Sequence, residues 1–285
     1  MKKFFNYINT EVLVKAARLN MTNLSLRIVT GILVSKFIAV YIGPQGMALI
    51  GNLRNFMSAL QSLSISGLYK GVVKFVSKVK DDVAELTKTL STVFYLGFFS
   101  SVFLALLCYY NAESINDFIF SSSYRYTYII KTLAIVLPFY ALNMFAFSIM
   151  NGFSKHKYLL IINILGQILG LLVTLLLIYQ DNIDGALLAI VITPALNLLI
   201  TIVGIAFRRS LVSHIKITQV SFSGINKLSP YMIMALVSAI ALPIVMIIIR
   251  NYLIDETGIK AAGYWTAMTR VSDYYLMFFN ENLTI

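Results

Sequence analysis

The segment that decides the fold runs from residue 158 to residue 207 and reads YLLIINILGQILGLLVTLLLIYQDNIDGALLAIVITPALNLLITIVGIAF. It contains two apolar stretches, 158–179 and 185–207, separated by a short polar link that carries Asp181 and Asp184. An α-helix needs about 20 apolar residues to cross the hydrocarbon core of a bilayer. Each stretch is therefore long enough to form one transmembrane helix.

Six more segments have the length and composition of membrane spans. They are 19–42, 47–69, 89–110, 129–150, 231–250 and 264–285. The 285-residue chain is 59% hydrophobic and only 12% charged, whereas soluble domains average about 25% charged residues. We therefore expect an all-α integral membrane protein with eight transmembrane helices.

The grouping of the spans predicts two helix bundles. The segment after the sixth span is rich in polar residues, and Pro230 can begin the next helix because a first turn does not use its missing N–H. We expect an N-terminal six-helix bundle over 1–207 and a cytoplasmic linker over 208–230. Residues 231–285 would then supply the first two helices of a second bundle.

The distribution of Lys and Arg between the connections predicts the orientation. With the N-terminus in the cytoplasm, 15 of the 23 Lys and Arg residues lie on the cytoplasmic side and four on the opposite side, in agreement with the positive-inside rule. The lysine-rich connection 70–88 interleaves Lys with apolar residues. This pattern fits either a basic amphipathic helix on the inner leaflet or a plain solvated connector.

Four basic side chains fall inside predicted spans, almost without acidic partners. They are Arg27, Lys36, Arg54 and Arg270. A charge at bilayer depth costs roughly 2.5–3.5 kcal/mol by insertion scales, so such residues are kept where they face an interior or a water-filled cavity. A straight helix points Lys36 away from Arg27, and Lys36 is also close enough to the span end to reach the interface. A mainly cationic cavity predicts an anionic cargo.

The second span, 47–69, has one polar face and one apolar face on a helical wheel. The polar arc holds Arg54, Asn55, Ser58, Gln61, Ser62 and Ser66, with Asn52 at its border. We expect this face to line a cavity, with Asn52, Asn55 and Gln61 as substrate contacts. The alternative is a helix held to its neighbours by Ser and Asn side chains.

The last span carries Arg270 and Asp273 three residues apart, a spacing that allows them to pair on one helix. The pair would either neutralise itself and help the helix to insert, or contact the cargo with Asp273 as a titratable coupling residue. A stripe of Thr193, Asn197 and Thr201 in the sixth span fits packing and cavity lining equally well.

No residue pattern indicates catalysis, a metal site or a cofactor. The two histidines lack ligand spacing, and no glycine-rich loop ends in the Lys-Ser or Lys-Thr that would bind phosphates. The formal charge of +11 is spread over short connections, so nucleic acid is not predicted as a partner. Cys108 is the only cysteine, which excludes a disulfide within the chain.

Three stretches carry a resemblance to a known family. Residues 39–51 read AVYIGPQGMALIG, Gln61-Ser62 leads through Gly67 to Gly71-Val72-Val73-Lys74, and 263–275 begins GYW and ends RVSDYY. They resemble O-antigen and lipid III flippases, the Wzx-type members of the multidrug/oligosaccharidyl-lipid/polysaccharide exporter superfamily. The resemblance covers most of the chain, and the first stretch is the most specific.

The resemblance implies two six-helix bundles facing each other across a central cavity in the bacterial inner membrane. It implies transport of an undecaprenyl-diphosphate-linked oligosaccharide, such as an O-antigen or enterobacterial common antigen repeat unit, to the periplasmic leaflet. A polysaccharide polymerase or chain-length regulator would be a natural partner. Such flippases are usually longer, and residues 279–285 lose the resemblance, so we expect a truncated product that lacks half of its cavity wall.

The sequence thus favours a flippase in which Arg27, Arg54 and Arg270 contact the diphosphate or acidic sugars. Charge-assisted hydrogen bonds from such side chains can replace the hydration that a diphosphate loses. One alternative is a drug or cation antiporter of the same superfamily, although cationic drugs would favour embedded carboxylates. The other is a non-transporting membrane scaffold for polysaccharide assembly.

Overall fold

The computed structural model describes residues 10–66, 72–73, 76, 82–120, 124–206 and 225–283. Throughout these ranges the regular secondary structure is helical. The first half contains α1 (Thr10–Tyr41), α2 (Gly43–Gln61) with a π-helical turn (Ser62–Ser66), α3 (Val83–Tyr110), α4 (Ala112–Phe120) and α5 (Thr127–Gly152).

The second half contains two helical hairpins. The helix His156–Ala206 is interrupted by non-helical backbone at Asp181 and Asn182, so we divide it into α6 (156–180) and α7 (183–206). Helices α8 (Ile225–Thr257) and α9 (Ile259–Leu283) follow. The eight predicted spans correspond to every helix except the short α4, which confirms the predicted all-α membrane fold.

The apolar segments are long enough to cross a bilayer. Among the described residues, four helical segments satisfy both the length and the hydropathy expected of a span: Met21–Tyr41, Ala84–Tyr110, Thr127–Gly152 and His156–Gly204. The last of these covers both α6 and α7. Helices α2 and α9 carry more polar residues, as expected if they line a cavity instead of facing lipid.

Two glycine turns place the hairpins that matter for the site. Gly43 joins α1 to α2 and Gly258 joins α8 to α9, and both have positive φ (+80° and +90°), which glycine adopts without strain. Gly263 at the start of α9 packs directly against the backbone of Pro44 at the start of α2. Both turns therefore lie at one end of the bundle, which we call the glycine-turn end.

The polar stripe on α7 is a packing surface. A Cβ atom at Gly166 would lie 2.6 Å from Oδ1 of Asn197, and one at Gly170 would lie 2.7 Å from Cγ2 of Thr193. Thr201 donates a 2.6 Å hydrogen bond to an amide oxygen on α5. The small residues of α6 thus allow close approach of α7, which favours the packing interpretation of the stripe over a lumen.

Nine of the 19 residues of the connection 70–88 lie outside the described residues, among them Lys70, Lys74, Lys78 and Lys80. Within its described part, Val72 and Val76 are buried against α3 and α5. Asp82 caps α3 by accepting hydrogen bonds from the backbone N–H groups of Ala84 and Glu85 at 3.0 and 3.1 Å. The described apolar residues of this connection thus pack on the protein, whereas the position of its lysines relative to a leaflet stays a prediction.

Candidate functional site

A polar cavity of about 40 Å³ lies where α2, α8 and α9 meet, beside α1. Its polar lining consists of Ser35, Arg54, Asn55, Arg250, Thr266, Thr269, Arg270 and Asp273. Of the residues that the structure describes, three guanidinium groups therefore share the cavity with one carboxylate. Since a buried water needs about 10–15 Å³ of such volume, the space suits a small anionic group and not a whole oligosaccharide.

Residues from opposite ends of the chain form this cavity. Arg54 and Asn55 come from α2, whereas Arg270 and Asp273 come from α9, and all four are predicted site residues. Asn55 and Arg270 each lie 12 residues after the glycine of their own turn. The two hairpins thus present equivalent positions to one cavity, as expected of a repeated bundle architecture.

The hydrogen-bond donors of α2 in this cavity have no partner among the described residues. Nδ2 of Asn55 is buried and has no acceptor among the described residues. The half-buried guanidinium of Arg54 makes no hydrogen bond or ion pair with any residue in the described ranges. A buried donor without an acceptor is costly, so both side chains favour a cavity occupant that supplies acceptor oxygens.

The predicted Arg270–Asp273 pair does not form in the structure. Among the residues that the structure describes, neither side chain has an ion-pair partner with a nitrogen–oxygen distance of 4.0 Å or less. Asp273 is exposed and interacts electrostatically with both Arg270 and Arg250. The carboxylate is therefore shared between two cations instead of being bound to its helix neighbour.

Arg250 is the charged cavity residue that sequence reasoning missed, together with the hydroxyl residues Ser35, Thr266 and Thr269. The sequence places it at the end of the seventh span, on the outer side, whereas α8 continues to Thr257 and leaves Arg250 only 3% exposed. Its Nε donates to Oγ1 of Thr266 over 2.8 Å, and its Cζ lies 5.3 Å from the Trp265 ring centre. In the sequence, Arg250 and Asn251 follow directly after an apolar run. Hydropathy alone favours ending the span at this point, so the sequence does not indicate that Arg250 is buried.

Asn52 binds protein groups, in contrast to Asn55. It is fully buried, and its Oδ1 accepts a 2.6 Å hydrogen bond from Nη1 of Arg250. Its Nδ2 donates to Oδ1 of Asn251 and to the carbonyl oxygen of Ile119, both over 2.7 Å. Asn52 is therefore next to the cavity but does not line it, so its predicted substrate contact has no support from its position.

The other predicted site residues are not gathered in the polar cavity. Arg27 is exposed on α1, and Gln61 is half-buried near the far end of α2. Lys36 lies instead along an apolar groove of about 740 Å³ between α1 and α9, which also touches Arg270. A 3.3 Å hydrogen bond between Ser35 and Tyr274 crosses this side of the protein.

Comparison with known proteins identifies relatives over nearly the whole chain. Residues 37–284 match the family described as polysaccharide biosynthesis protein. The lipid III flippases of Escherichia coli (strain K12) and Shigella flexneri are each 26% identical over 276 residues, or 96% of this chain. The chain spans 65% of the length of these relatives. The Wzx-type resemblance drawn from the sequence is thereby confirmed.

Solved structures show the same fold at lower identity. The MATE multidrug transporter DinF-BH superposes with a TM-score of 0.73 at 15% identity, covering 95% of this chain and 62% of that one. The inward-facing conformation of a MATE family transporter of the MOP superfamily gives a TM-score of 0.59 at 15% identity, with coverage of 90% and 61%. The relatives are flippases and transporters by name. The family match, the apolar helices and the shared fold together show that this chain is a multi-pass membrane protein of the polysaccharide biosynthesis protein family.

Proposed function

We propose that the chain contributes the cation-lined part of a flippase that moves an undecaprenyl-diphosphate-linked oligosaccharide across the bacterial inner membrane. The observation that carries this proposal is the convergence of Arg54, Arg250 and Arg270 on one cavity with a single carboxylate. The unpartnered amide donor of Asn55 adds a neutral hydrogen-bond donor to the same space. The relationship to lipid III flippases supports the same class of cargo.

The chemistry of the cavity suits a phosphoryl group. Guanidinium groups bind phosphate oxygens through paired, charge-assisted hydrogen bonds, which compensate for hydration lost on entering a membrane. The cavity volume of about 40 Å³ leaves no room for sugars. We therefore assign the diphosphate to Arg54, Asn55 and Arg270, and the sugars to a wider space that opens when the bundles separate.

The translocation step in this proposal is a rocking of one bundle against the other. The segment 1–207 would form one bundle, 208–230 the linker, and 231–285 the part of the second bundle that this chain supplies. Transporters with repeated bundles expose a central site to each side in turn by such movements. Asp273 is the carboxylate of the cavity, and we propose it as the group whose protonation couples the movement to an ion gradient.

A drug antiporter is the second candidate, and the likeness to MATE multidrug transporters favours it. A fold alone does not determine the cargo, which depends on the chemistry of the site. A cationic drug would meet three guanidinium groups and one carboxylate in this cavity. The repulsion between like charges therefore favours the anionic cargo.

A competition experiment separates the two candidates. The purified full chain in lipid nanodiscs would be titrated with farnesyl diphosphate, with uncharged farnesol and with a cationic rhodamine dye. We expect saturable binding of the diphosphate, weak binding of farnesol and no competition by the dye. Saturable binding of the dye with no binding of the diphosphate would overturn the flippase proposal and support the antiporter.

The orientation makes a separate prediction. In a Cys108→Ser background, we expect Glu256→Cys, exposed beside the Gly258 turn, to react with a membrane-impermeant maleimide in intact cells. Lys157→Cys, exposed at the start of α6, should react only after permeabilisation, because the basic connections are retained in the cytoplasm. The reverse labelling pattern would invert the topology and place the glycine-turn end in the cytoplasm.

A further inference from the structure

One hydrogen-bond network joins the two hairpins near the glycine-turn end. Asn52 of α2 binds Arg250 and Asn251 of α8 over 2.6 and 2.7 Å. Asn52 also donates to the carbonyl of Ile119 on α4, and Asn251 donates to the carbonyl of Phe118 over 2.8 Å. Three helices that are distant in sequence are thus held together through the side chains of Asn52, Arg250 and Asn251, which we call the latch.

Close backbone packing surrounds the latch. Gly51 leaves no room for a side chain, because a Cβ atom there would lie 2.8 Å from Thr266 and 2.9 Å from Cζ of Arg250. Gly263 is pressed against the backbone of Pro44 nearer the end. Helix α9 packs extensively on α2 and α8 but only lightly on α1. The latch therefore lies in a closely packed junction of α2, α8 and α9 beside the cavity.

The latch holds a cation with neutral partners. Arg250 is 3% exposed, and its bonds go to an amide oxygen and a hydroxyl, with Trp265 stacked nearby. In the described part of the chain, no carboxylate lies within ion-pair distance of it. A buried charge without a directly paired opposite charge is costly. Asp273 interacts with Arg250 only at a distance and also interacts with Arg270, so an anion that binds Arg250 directly would relieve part of this cost.

An incoming anion has direct access to this cation. Arg250 lines the polar cavity together with Arg54 and Arg270. Two of its N–H groups donate to described residues, which leaves other donors of the guanidinium for a ligand. Charge-assisted bonds to a phosphate are stronger than bonds to a neutral amide oxygen. The phosphate can therefore compete with Asn52 for the same guanidinium.

We propose that the latch seals the cavity at the glycine-turn end and that a diphosphate opens it by drawing Arg250 away from Asn52. The sealing role rests on the hydrogen bonds and the glycine packing alone. The opening role rests on the proposed function, since it needs an anionic cargo in the cavity. Cargo binding and the opening of one end would then be linked through a single guanidinium.

Asn52 offers two substitutions that separate its bond to Arg250 from its other bonds. Asn52→Ala removes the acceptor of Arg250 and the donor to Asn251 and Ile119, and should loosen the seal. Asn52→Asp loses the same donor but keeps a charged acceptor for Arg250, so it should loosen the seal less than Asn52→Ala if the bond to Arg250 carries the seal. The reporter is Thr269→Cys in a Cys108→Ser background. Thr269 is a part-buried cavity position on α9 that lies three residues further from the Gly258 turn than Thr266, and therefore behind the latch.

The readout is the rate at which a membrane-impermeant maleimide labels the Thr269→Cys reporter from the side of the glycine-turn end. We expect Asn52→Ala to raise this rate at least about threefold, because it loses three hydrogen bonds and the loss of one alone changes a population by roughly threefold to tenfold. Asn52→Asp should be labelled more slowly than Asn52→Ala, and Ser58→Ala, exposed on the same helix, should leave the rate unchanged. Equal rates in all three variants would overturn the latch.

A second variant keeps the test decisive if Asn52→Ala does not fold. Thr266→Val keeps the shape of the side chain but removes the hydroxyl that accepts from Nε of Arg250. It should raise the labelling rate in the same direction as Asn52→Ala. A folded Thr266→Val protein with an unchanged rate would argue against Arg250 as part of the seal.

The opening role is tested with farnesyl diphosphate, using farnesol as the uncharged control. Trp265 is the only tryptophan and is next to Arg250, so its fluorescence reports displacement of the guanidinium. We expect the diphosphate, but not farnesol, to change the emission and to raise the labelling rate, and Arg250→Gln to abolish both effects. Binding without either change would overturn the opening role alone. If farnesyl diphosphate does not bind at all, both the proposed function and the opening role are contradicted. The labelling rates of the Asn52 variants would still show whether the latch seals the cavity.

Discussion

Replacing Arg54 with alanine is expected to weaken the binding of farnesyl diphosphate more than any other single truncation in the cavity. Arg54 lines the cavity and makes no hydrogen bond to a described residue, so its donors are free for the ligand. A hydrogen bond to a charged group contributes about 1.5–3 kcal/mol, which corresponds to a roughly 10- to 150-fold increase in Kd. Isothermal titration of the protein in nanodiscs measures this change.

Two further variants determine whether the loss reflects recognition or folding. Arg54→Lys should recover only part of the affinity, because an ammonium keeps the charge but lacks the planar fork of donors. Arg27→Ala is the matched control, since it removes an arginine of a neighbouring helix that does not line the cavity. Unchanged binding in Arg54→Ala, or an equal loss in Arg27→Ala, would contradict the assignment of Arg54 to the diphosphate.

The sequence was sufficient to predict the spans and one wall of the site. Apolar runs of span length reflect the cost of exposing backbone and polar groups to lipid, and this constraint acts on each helix separately. The polar arc of α2 likewise belongs to one helix, so its periodicity correctly placed Arg54 and Asn55 away from the buried Leu49 and Leu53. Local patterns thus identify which face of a helix is polar.

Which groups a polar face contacts depends on the helices packed against it. The sequence was insufficient to predict these contacts. Asn52 borders the same arc as Asn55, yet Asn52 binds Arg250 whereas Asn55 faces the cavity with a donor that has no described partner. The difference arises from where α8 crosses α2, which no periodicity within α2 encodes. Arg250 itself looked like a loop residue because its depth depends on the length of α8 beyond the apolar run.

Embedded charge was a useful but incomplete signal for the site. Arg54 and Arg270 line the polar cavity, whereas Lys36 lines the apolar groove and Arg27 lines neither. A long side chain on a transmembrane helix can reach the interface and avoid the interior, so the presence of a cation in a span does not specify its direction. Arg54 and Arg270 differ from Arg27 and Lys36 because α2 and α9 pack together and bring these two arginines to the same cavity.

Reversing the charge of Arg270 and removing that of Asp273 should change diphosphate affinity in opposite directions. The lining holds three guanidinium groups and one carboxylate, so Arg270→Glu makes it electrically neutral. Two charges at about 4 Å interact by about 4 kcal/mol at an effective dielectric constant of about 20, and we therefore expect Arg270→Glu to raise the Kd by at least about 100-fold. Asp273→Asn removes the repulsion of the phosphate and should tighten binding.

The effect of Asp273→Asn should be smaller because this carboxylate is exposed and screened by solvent. We expect an increase in affinity of up to about tenfold, which should shrink as the ionic strength rises towards about 1 M. Ser272→Asn, one position away on the exposed face of α9, is the matched control and should have no effect. Weaker binding in Asp273→Asn would show that the carboxylate orients the cations instead of opposing the cargo. If Asp273→Asn tightens binding but stops transport, the result would support the proposed role of Asp273 in coupling. It would mean that the anion is released into the opposite leaflet only when the negative charge of Asp273 is present.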